Sequence, residues 1–207
     1  MPLFRINTKN VLFIHIPKTG GTSIECALSK LSPMSLRSRN GRQLKSLMDG
    51  PFNRGLPLQH FHARLLEACL DQSLIDYAFM VVRPPLQRMI SEYRHSRARG
   101  RLDAKMPFSQ WLRFSLAATR LDPGFRSNHF RKQTDFACFG ADVFHFEQGL
   151  ENCLSSVAAQ IGVNEHLHLP HERKSDTYPV TITAKDRKLI TQAYAADYER
   201  FNYEPGT

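Results

Sequence analysis

The sequence predicts an α/β fold in which a parallel β-sheet is flanked by helices. Short apolar segments, each of the length of a buried strand, occupy Val11–Ile16, Tyr77–Val82 and Val143–Phe146. Segments with the apolar spacing of amphipathic helices lie between and after these strands. Strands that alternate with helices favour a parallel sheet covered on both faces. Ligands bind such sheets at the carboxyl ends of the strands, so we expect the functional residues at those ends.

The helical segments are separated from the strands by polar turns. The predicted helices open at Ile24 and at Pro85 and cover residues 62–72, 107–119, 149–161 and 185–201. Pro85 suits the first turn of a helix, because that turn needs no N–H partner there. Thr183 is the predicted N-cap of the last helix, since its hydroxyl can accept a first-turn amide. Residues 32–58 and 164–182 are polar and are predicted to be long loops.

The composition fits one globular domain over residues 1–207, with a substantial core. The net charge of +9 favours anionic ligands, which include nucleotide cofactors, sulfated or carboxylated sugars, nucleic acids and anionic membrane surfaces. The four cysteines show no C-x-x-C spacing, and Cys26 and Cys69 lie in helical apolar patterns, which predicts buried free thiols in a reducing compartment. No apolar stretch has transmembrane length and no secretory signal is visible, so we expect a soluble cytoplasmic protein.

The chain between the first strand and the first helix carries the strongest functional signal. The strand stops at a proline, and the residues that follow it are Lys18, Thr19, Gly20, Gly21, Thr22 and Ser23. Glycines let successive backbone N–H groups curl round an anion, and a helix N-terminus adds the positive end of its dipole. Lys18 supplies a full charge, and Thr22 and Ser23 supply hydroxyl donors. In a Walker A loop the lysine follows the glycines, whereas here it precedes them.

This order resembles the 5′-phosphosulfate loop of sulfotransferases that use 3′-phosphoadenosine 5′-phosphosulfate (PAPS). Within that superfamily, the letters HIPKTGGTS at His15–Ser23 are most similar to the carbohydrate branch, which includes the heparan 2-O-sulfotransferases. The resemblance implies a P-loop-like fold, PAPS as the cofactor, and transfer of a sulfuryl group to a hydroxyl of an acceptor, a glycan in that branch. Animal relatives are usually anchored in the Golgi, so a soluble enzyme or the catalytic part of an anchored one is expected.

A second anion site is predicted where the second strand ends. Arg83 follows that strand, and Ser91 lies about 9 Å along the next helix, counted from Pro85 at ~1.5 Å per residue. The pair resembles the 3′-phosphate motif of sulfotransferases, in which Ser stands eight residues after Arg. The sequence Arg83-Pro84-Pro85 departs from the Arg-Asp-Pro that is common in that motif. Arg88 is predicted to be structural, and an ordinary strand-to-helix junction is the alternative interpretation.

His60 and His62 are the candidate catalytic residues besides Lys18. Two polar loop histidines without a catalytic role are one alternative. A metal pair is another, but no third ligand stands nearby in sequence. The carbohydrate branch carries a His-x-His between its two cofactor motifs, and one histidine acts there as the base. Sulfuryl transfer to a hydroxyl needs a base to take the proton. We favour His62, because the N-terminus of the helix over 62–72 would disfavour its charged form. His60 would then orient the acceptor or its partner.

The resemblance also assigns Arg173 and Lys174 to a late basic loop that closes over the 3′-phosphate, although Ser175 stands where the cytosolic branch has Gly. No metal is predicted, because the nearby histidines lack cysteine or carboxylate partners in a recognisable frame. These histidines are His166, His168 and His171.

Two groups of basic residues have two interpretations each, a solvated basic face or part of a groove for an anionic acceptor. The groups are Arg94, Arg97 and Arg101, and Arg126, Arg131 and Lys132. Two other functions are alternatives for the whole chain. A small kinase is disfavoured by the position of Lys18 and by the lack of a Walker-B carboxylate at a strand end. A non-catalytic module that binds polyanions or nucleic acid is suggested by the net charge alone.

Overall fold

The computed structural model describes residues 3–32, 60–164, 167–169 and 178–206. The chain divides into two compact units, each built from two separate stretches. The first unit is formed by Met1–Val82 with Asp135–Glu172, and the second by Arg83–Thr134 with Arg173–Thr207. That the whole chain is one domain stays a prediction.

The first unit contains a four-stranded sheet of the order β1-β2-β3-β4. Its strands are β1 (Leu3–Ile6), β2 (Lys9–Ile14), β3 (Tyr77–Val82) and β4 (Asp142–His145). β3 pairs parallel with both β2 and β4, as the sequence predicts. The prediction of a parallel sheet is wrong at one edge, where β1 pairs antiparallel with β2. Only Asn7 and Thr8 separate these two strands, and a connection that short permits only an antiparallel hairpin.

Helices flank this sheet and form most of the second unit. In chain order they are α1 (Gly21–Leu28), α2 (Ala63–Cys69), α3 (Pro85–Ala98), α4 (Phe108–Leu121), α5 (Phe125–Asn128), α6 (Leu150–Ile161), α7 (Ala184–Ala193) and α8 (Ala195–Arg200). α1, α2 and α6 belong to the first unit and the others to the second. The predicted α/β fold with a sheet flanked by helices is therefore confirmed. α5 is a single turn in which Arg126 and Ser127 have left-handed backbone.

The two central strands of the sheet are buried on both faces. Every residue of Val11–Ile14 and of Phe79–Val82 is fully buried. Central strands of this kind are continuous apolar runs, because helices or loops cover both faces of the sheet. On one face, Phe13 and Phe79 stack with ring centroids 4.9 Å apart and pack in one cluster with apolar residues of α1 and α6.

The core of the second unit is formed by α3, α4 and α7. Trp111 and Leu112 of α4 are fully buried and pack with Met89 of α3 and Ile190 of α7. The single helix predicted over 185–201 is divided into α7 and α8 at Tyr194, whose backbone leaves the helical region. The Tyr194 hydroxyl donates to the Phe130 carbonyl at 2.9 Å, so the break places this side chain in the core.

The four cysteines are free thiols. Cys138 and Cys153 are buried, as predicted, and burial raises the pKa of each thiol to about 12. Cys26 is half-buried. The prediction is wrong for Cys69, which is exposed because it lies in the last turn of α2, where only Leu66 is buried. Within the described ranges no helix combines the length and the apolar character needed to cross a bilayer.

The predicted N-cap Thr183 is confirmed as part of a reciprocal cap at the start of α7. The Asp186 amide donates to the Thr183 hydroxyl oxygen at 3.2 Å, and the Thr183 amide donates to the Asp186 carboxylate at 2.9 Å. Ser109 donates to the same carboxylate at 2.6 Å. Burial alone would raise the pKa of Asp186, but the hydrogen bonds from Ser109 and Thr183 hold it below its ordinary value.

Replacing Asp186 by Asn should lower the free energy of unfolding at pH 7 by about 1 kcal/mol, the usual effect of a lost cap. Because folding lowers the pKa of this carboxyl, its contribution is complete above the unfolded-state pKa and is lost as the pH falls through the folded-state pKa. Urea unfolding at pH 7 and at pH 3 should therefore show a smaller difference between wild type and Asp186→Asn at the lower pH. Glu199→Gln, an exposed change on α8, is the control; an equal loss for Asp186→Asn at both pH values would contradict the prediction.

Candidate active site

The connection from β2 to α1 forms a loop with unusual backbone geometry. Lys18 has a φ of 71° and Gly20 a φ of 81°, and both values lie in the left-handed region. The Ser23 amide donates to the Gly20 carbonyl at 3.0 Å, which closes the first turn of α1. The buried Thr19 hydroxyl donates to the Ile16 carbonyl at 2.9 Å. Thr19 therefore braces the loop through its side chain.

Both glycines of the loop are needed by the surrounding structure, for different reasons. A Cβ at Gly20 would lie 2.6 Å from a methyl group of Leu150, in addition to the positive φ at this residue. A Cβ at Gly21 would lie 2.3 Å from the His15 ring. Gly21 is also the first residue of α1, where backbone N–H groups face away from the helix and are available to an anion. Larger residues at either position would displace the backbone that forms the predicted anion site.

A buried acid–base pair lies behind this loop. The Nδ1 atom of His15 is 2.5 Å from the Glu25 carboxylate, and the two residues are 4% and 2% exposed. No pattern in the sequence indicates this pair. The available signal was Glu25 itself, a charged residue within the apolar pattern of the first helix, but the sequence alone does not show which residue it contacts.

The structure brings His60 against the same loop. The Nδ1 atom of His60 is 3.3 Å from the His15 carbonyl oxygen, and the His60 ring meets the His15 ring edge-on at 4.8 Å. A carbonyl oxygen only accepts, so Nδ1 of His60 carries a proton in this contact and a neutral ring has its lone pair on Nε2. His62 is half-buried and is the N-cap of α2, in agreement with the predicted helix start.

The second predicted anion site lies in the second unit. Arg83 directly follows β3, and its main chain is held by Gln133, whose side chain accepts from the Arg83 amide at 3.0 Å and donates to its carbonyl at 2.9 Å. Gln133 is in turn held by the Asp197 carboxylate, which accepts its amide at 2.9 Å. Ser91 is half-buried on α3. These contacts fix the backbone from which the Arg83 side chain extends.

Arg88 has the structural role that the sequence predicts. It is fully buried, and its Nη2 atom donates to the carbonyls of His129 at 2.9 Å and Arg131 at 2.6 Å. Its Nη1 atom is 3.9 Å from the Asp197 carboxylate. Burial raises the pKa of Asp197, while Arg88 and two backbone amides act in the opposite direction. Arg88 therefore joins α3 to α8 and to the segment that follows α5.

Several of the basic residues on α3 and near α5 hold the second unit together. Arg94 donates to the Tyr178 carbonyl at 3.0 Å, and Arg97 donates to the Ala104 carbonyl at 2.9 Å and lies 3.9 Å above the Tyr178 ring. Other members of the two groups also have partners: Arg101 with Glu92, Arg126 with Asp103, and Arg131 with Asn128. These five arginines are therefore not simply solvated, because each has a partner within the protein.

The predicted late basic loop and its neighbouring histidines lie almost entirely outside the described part of the chain. Arg173, Lys174, His166 and His171 lie outside the described residues. His168 is exposed. In the part of the chain that the structure describes, no three His, Cys, Asp or Glu side chains are grouped so that they could hold a metal ion.

The model of the sulfotransferase family matches residues 2–204, nearly the whole chain. The chain belongs to the sulfotransferase family. Comparison with curated proteins gave no match, and comparison with solved structures gave none either.

Membership supports a transferase that moves sulfuryl groups to a hydroxyl acceptor. It favours this activity over the kinase and over the non-catalytic binding module. In this sulfotransferase the predicted 5′-phosphosulfate loop and the two histidines belong to the first unit, whereas Arg83 and Ser91 belong to the second.

Proposed function

We propose that this sulfotransferase transfers a sulfuryl group from PAPS to a hydroxyl group of a carbohydrate. The observation that carries the proposal is the loop from β2 to α1. It combines Lys18, left-handed backbone on both sides of Thr19, and two glycines at which a side chain would collide with Leu150 or His15. Left-handed residues within a turn are typical of the backbone nests in which successive N–H groups bind an anion.

The residues of this loop fit the 5′-phosphosulfate group. The loop residues proposed to hold it are Lys18, Thr19, Gly20, Gly21, Thr22 and Ser23. Bound PAPS would supply the sulfuryl group that is transferred. Lys18 offers a fixed positive charge beside the N-terminus of α1, where negative charge on phosphate oxygens is stabilised. This charge replaces the divalent cation that kinases use for the same purpose, so we propose no metal requirement.

The 3′-phosphate of PAPS is assigned to Arg83 and Ser91. Gln133 holds the Arg83 main chain, which supports a fixed origin for the guanidinium group. Arginine is suited to this role because its planar fork pairs with phosphate oxygens in two parallel hydrogen bonds. Arg173 and Lys174 are proposed to close over the same phosphate.

One residue of the histidine pair is proposed as the general base that takes the acceptor proton. His62 is favoured because it is the N-cap residue of α2 and so lies at the positive end of that helix. The hydrogen bond of His60 to the His15 carbonyl supports His60 as well, because it leaves Nε2 of a neutral ring able to accept a proton. The variants His60→Ala and His62→Ala distinguish between the two residues.

A carbohydrate acceptor is proposed from the resemblance of the loop to the carbohydrate branch. The net charge of +9 suits an anionic glycan. Glycans, phenols and small alcohols should be compared as acceptors in assays whose donor is PAPS with a labelled sulfuryl group. We expect label in glycans, and transfer to phenols alone would refute the acceptor class while leaving the sulfuryl donor intact.

Three predictions test the proposed site residues, and the first of them concerns the nucleotide. Adenosine 3′,5′-bisphosphate should raise the melting temperature, and ATP should raise it much less, because only the former carries a 3′-phosphate for Arg83 and Ser91. At 100 times its dissociation constant, the ligand should add about 2.7 kcal/mol of stability. Thermal unfolding with each nucleotide, with and without Mg²⁺, measures this. Equal shifts for the two nucleotides, or a need for Mg²⁺, would contradict the assignment.

The second prediction separates the two anion sites. Lys18→Ala should reduce turnover more than nucleotide affinity, since its charge matters most as the leaving group develops. Arg83→Ala should chiefly weaken binding of adenosine 3′,5′-bisphosphate, by about 1.5–3 kcal/mol, because the 3′-phosphate does not change during the reaction.

Calorimetric titration and initial-rate kinetics measure these two effects. The exposed residues Lys30 and Arg99 provide matched controls, Lys30→Ala in the first unit and Arg99→Ala at the end of α3. An unchanged dissociation constant for Arg83→Ala would remove the 3′-phosphate from this residue.

The third prediction concerns the histidines. One of His60→Ala and His62→Ala should lose about 10²–10⁴-fold in turnover and still bind adenosine 3′,5′-bisphosphate, because a general base acts only in the chemical step. The wild-type rate should rise with pH through a pKa near or below the ordinary ~6.5 of histidine, and this limb should vanish in the inactive variant. His168→Ala, at an exposed histidine, is the control. Wild-type turnover in both variants and in the double variant would place the base elsewhere.

A further inference from the structure

The buried pair of His15 and Glu25 lies against the phosphosulfate loop at Gly21 and against His60, one of the two candidate bases. Glu25 is on α1 and His15 directly follows β2, so their 2.5 Å contact ties the helix to the end of the strand. A carboxylate that is 2% exposed is stable in the interior only with a hydrogen-bonded partner. Glu25 therefore restricts the His15 ring to one position and one orientation.

The ring of His15 determines where the phosphosulfate loop lies. The space that a Cβ of Gly21 would need is filled by this ring, whose Cδ2 and Nε2 atoms are both 2.3 Å from that position. The Gly21 backbone thus rests directly on the imidazole. A rotation or loss of the ring would let the first turn of α1 move, together with the N–H groups that the loop presents.

The main chain of the same residue holds His60, one of the two candidate bases. The His15 carbonyl accepts from Nδ1 of His60 at 3.3 Å, and the edge-on ring contact at 4.8 Å adds a second restraint. One residue therefore touches the anion loop through its side chain and a candidate catalytic histidine through both its carbonyl and its ring. Phe13, with its ring 5.5 Å from that of His15, supports the imidazole from the sheet side.

We propose that His15, fixed by Glu25, is a positioning residue that sets the geometry of the phosphosulfate loop relative to His60. The inference rests on the proposed function of that loop. Neither residue takes part in a chemical step. Glu25 orients His15, and His15 keeps the loop amides and His60 at the spacing that in-line transfer requires. A displacement of about 1 Å in such an arrangement reduces turnover about 10²-fold.

The experiment uses the full chain and three variants of the pair. Glu25→Leu removes the partner of His15, and Glu25→Gln keeps a side chain of the same length that still accepts a hydrogen bond. The double variant His15→Phe/Glu25→Leu replaces the pair by apolar residues of similar size, which in proteins often preserves stability. Glu151→Gln, an exposed change on α6, is the control.

Turnover, the acceptor KM, the dissociation constant of adenosine 3′,5′-bisphosphate and the melting temperature are measured for each protein. We expect Glu25→Leu and the double variant to lose about 10²-fold in turnover with little change in the acceptor KM, and Glu25→Gln to recover much of that loss. The decisive protein is the double variant: a melting temperature like that of wild type together with low turnover supports positioning. Turnover like that of wild type in the folded double variant would overturn the inference.

The failure of the underlying proposal gives a different pattern. If wild type neither binds adenosine 3′,5′-bisphosphate nor transfers a sulfuryl group from PAPS, the proposed function fails, and this inference fails with it. If wild type does both and all three variants match it, only the role of His15 and Glu25 is refuted. Should the double variant not fold, the turnover of Glu25→Leu relative to Glu25→Gln decides, since a loss that the glutamine restores also supports positioning and equal turnover overturns it.

Discussion

Burial of β2 and β3 on both faces is the constraint on which the rest of the first unit depends. Val11–Ile14 and Phe79–Val82 have no exposed surface, so neither strand has room for a polar side chain along these stretches. Polar chemistry must begin where the strands stop. His15 and Lys18 follow β2, and Arg83 follows β3. The parallel pairing of the two strands directs their carboxyl ends the same way, and the residues proposed to bind and react lie in the connections that follow these ends.

Local sequence patterns were sufficient for the central strands and for most helices. The runs at Val11–Ile16 and Tyr77–Val82 are almost wholly apolar, and the corresponding strands differ from the prediction by at most two residues at either end. β1 was not predicted. Leu3–Ile6 is short and contains Arg5, so its apolar pattern is too short to be recognised as a strand. α1 begins three residues before the predicted Ile24. Gly21 has low helix propensity, so the sequence pattern does not include it in the helix, and its place there is set by contacts. The break at Tyr194 could not be predicted, because no proline or glycine stands near it in the sequence.

The site was predictable where it depends on order along the chain, and not where it depends on packing. Lys18, the two glycines and the His60–His62 pair stand out by their types and spacing. His15 and Glu25 are ten positions apart and belong to different elements, so only the fold shows that they meet. The same holds for Arg94, Arg97 and Arg126. Their charges allowed either a solvated basic face or a groove for an anionic acceptor, and only the fold shows that they fasten one segment of the second unit to another.

The unequal burial of the cysteines gives the protein a natural point for chemical labelling. A thiol reacts as its thiolate, and burial raises the pKa of Cys138 and Cys153 so far that neither is ionised near neutral pH. Cys69 is exposed at the end of α2, the helix that His62 caps. A maleimide fluorophore should therefore attach first at Cys69. Its emission would report movements of the helix that carries a candidate base, without any engineered cysteine.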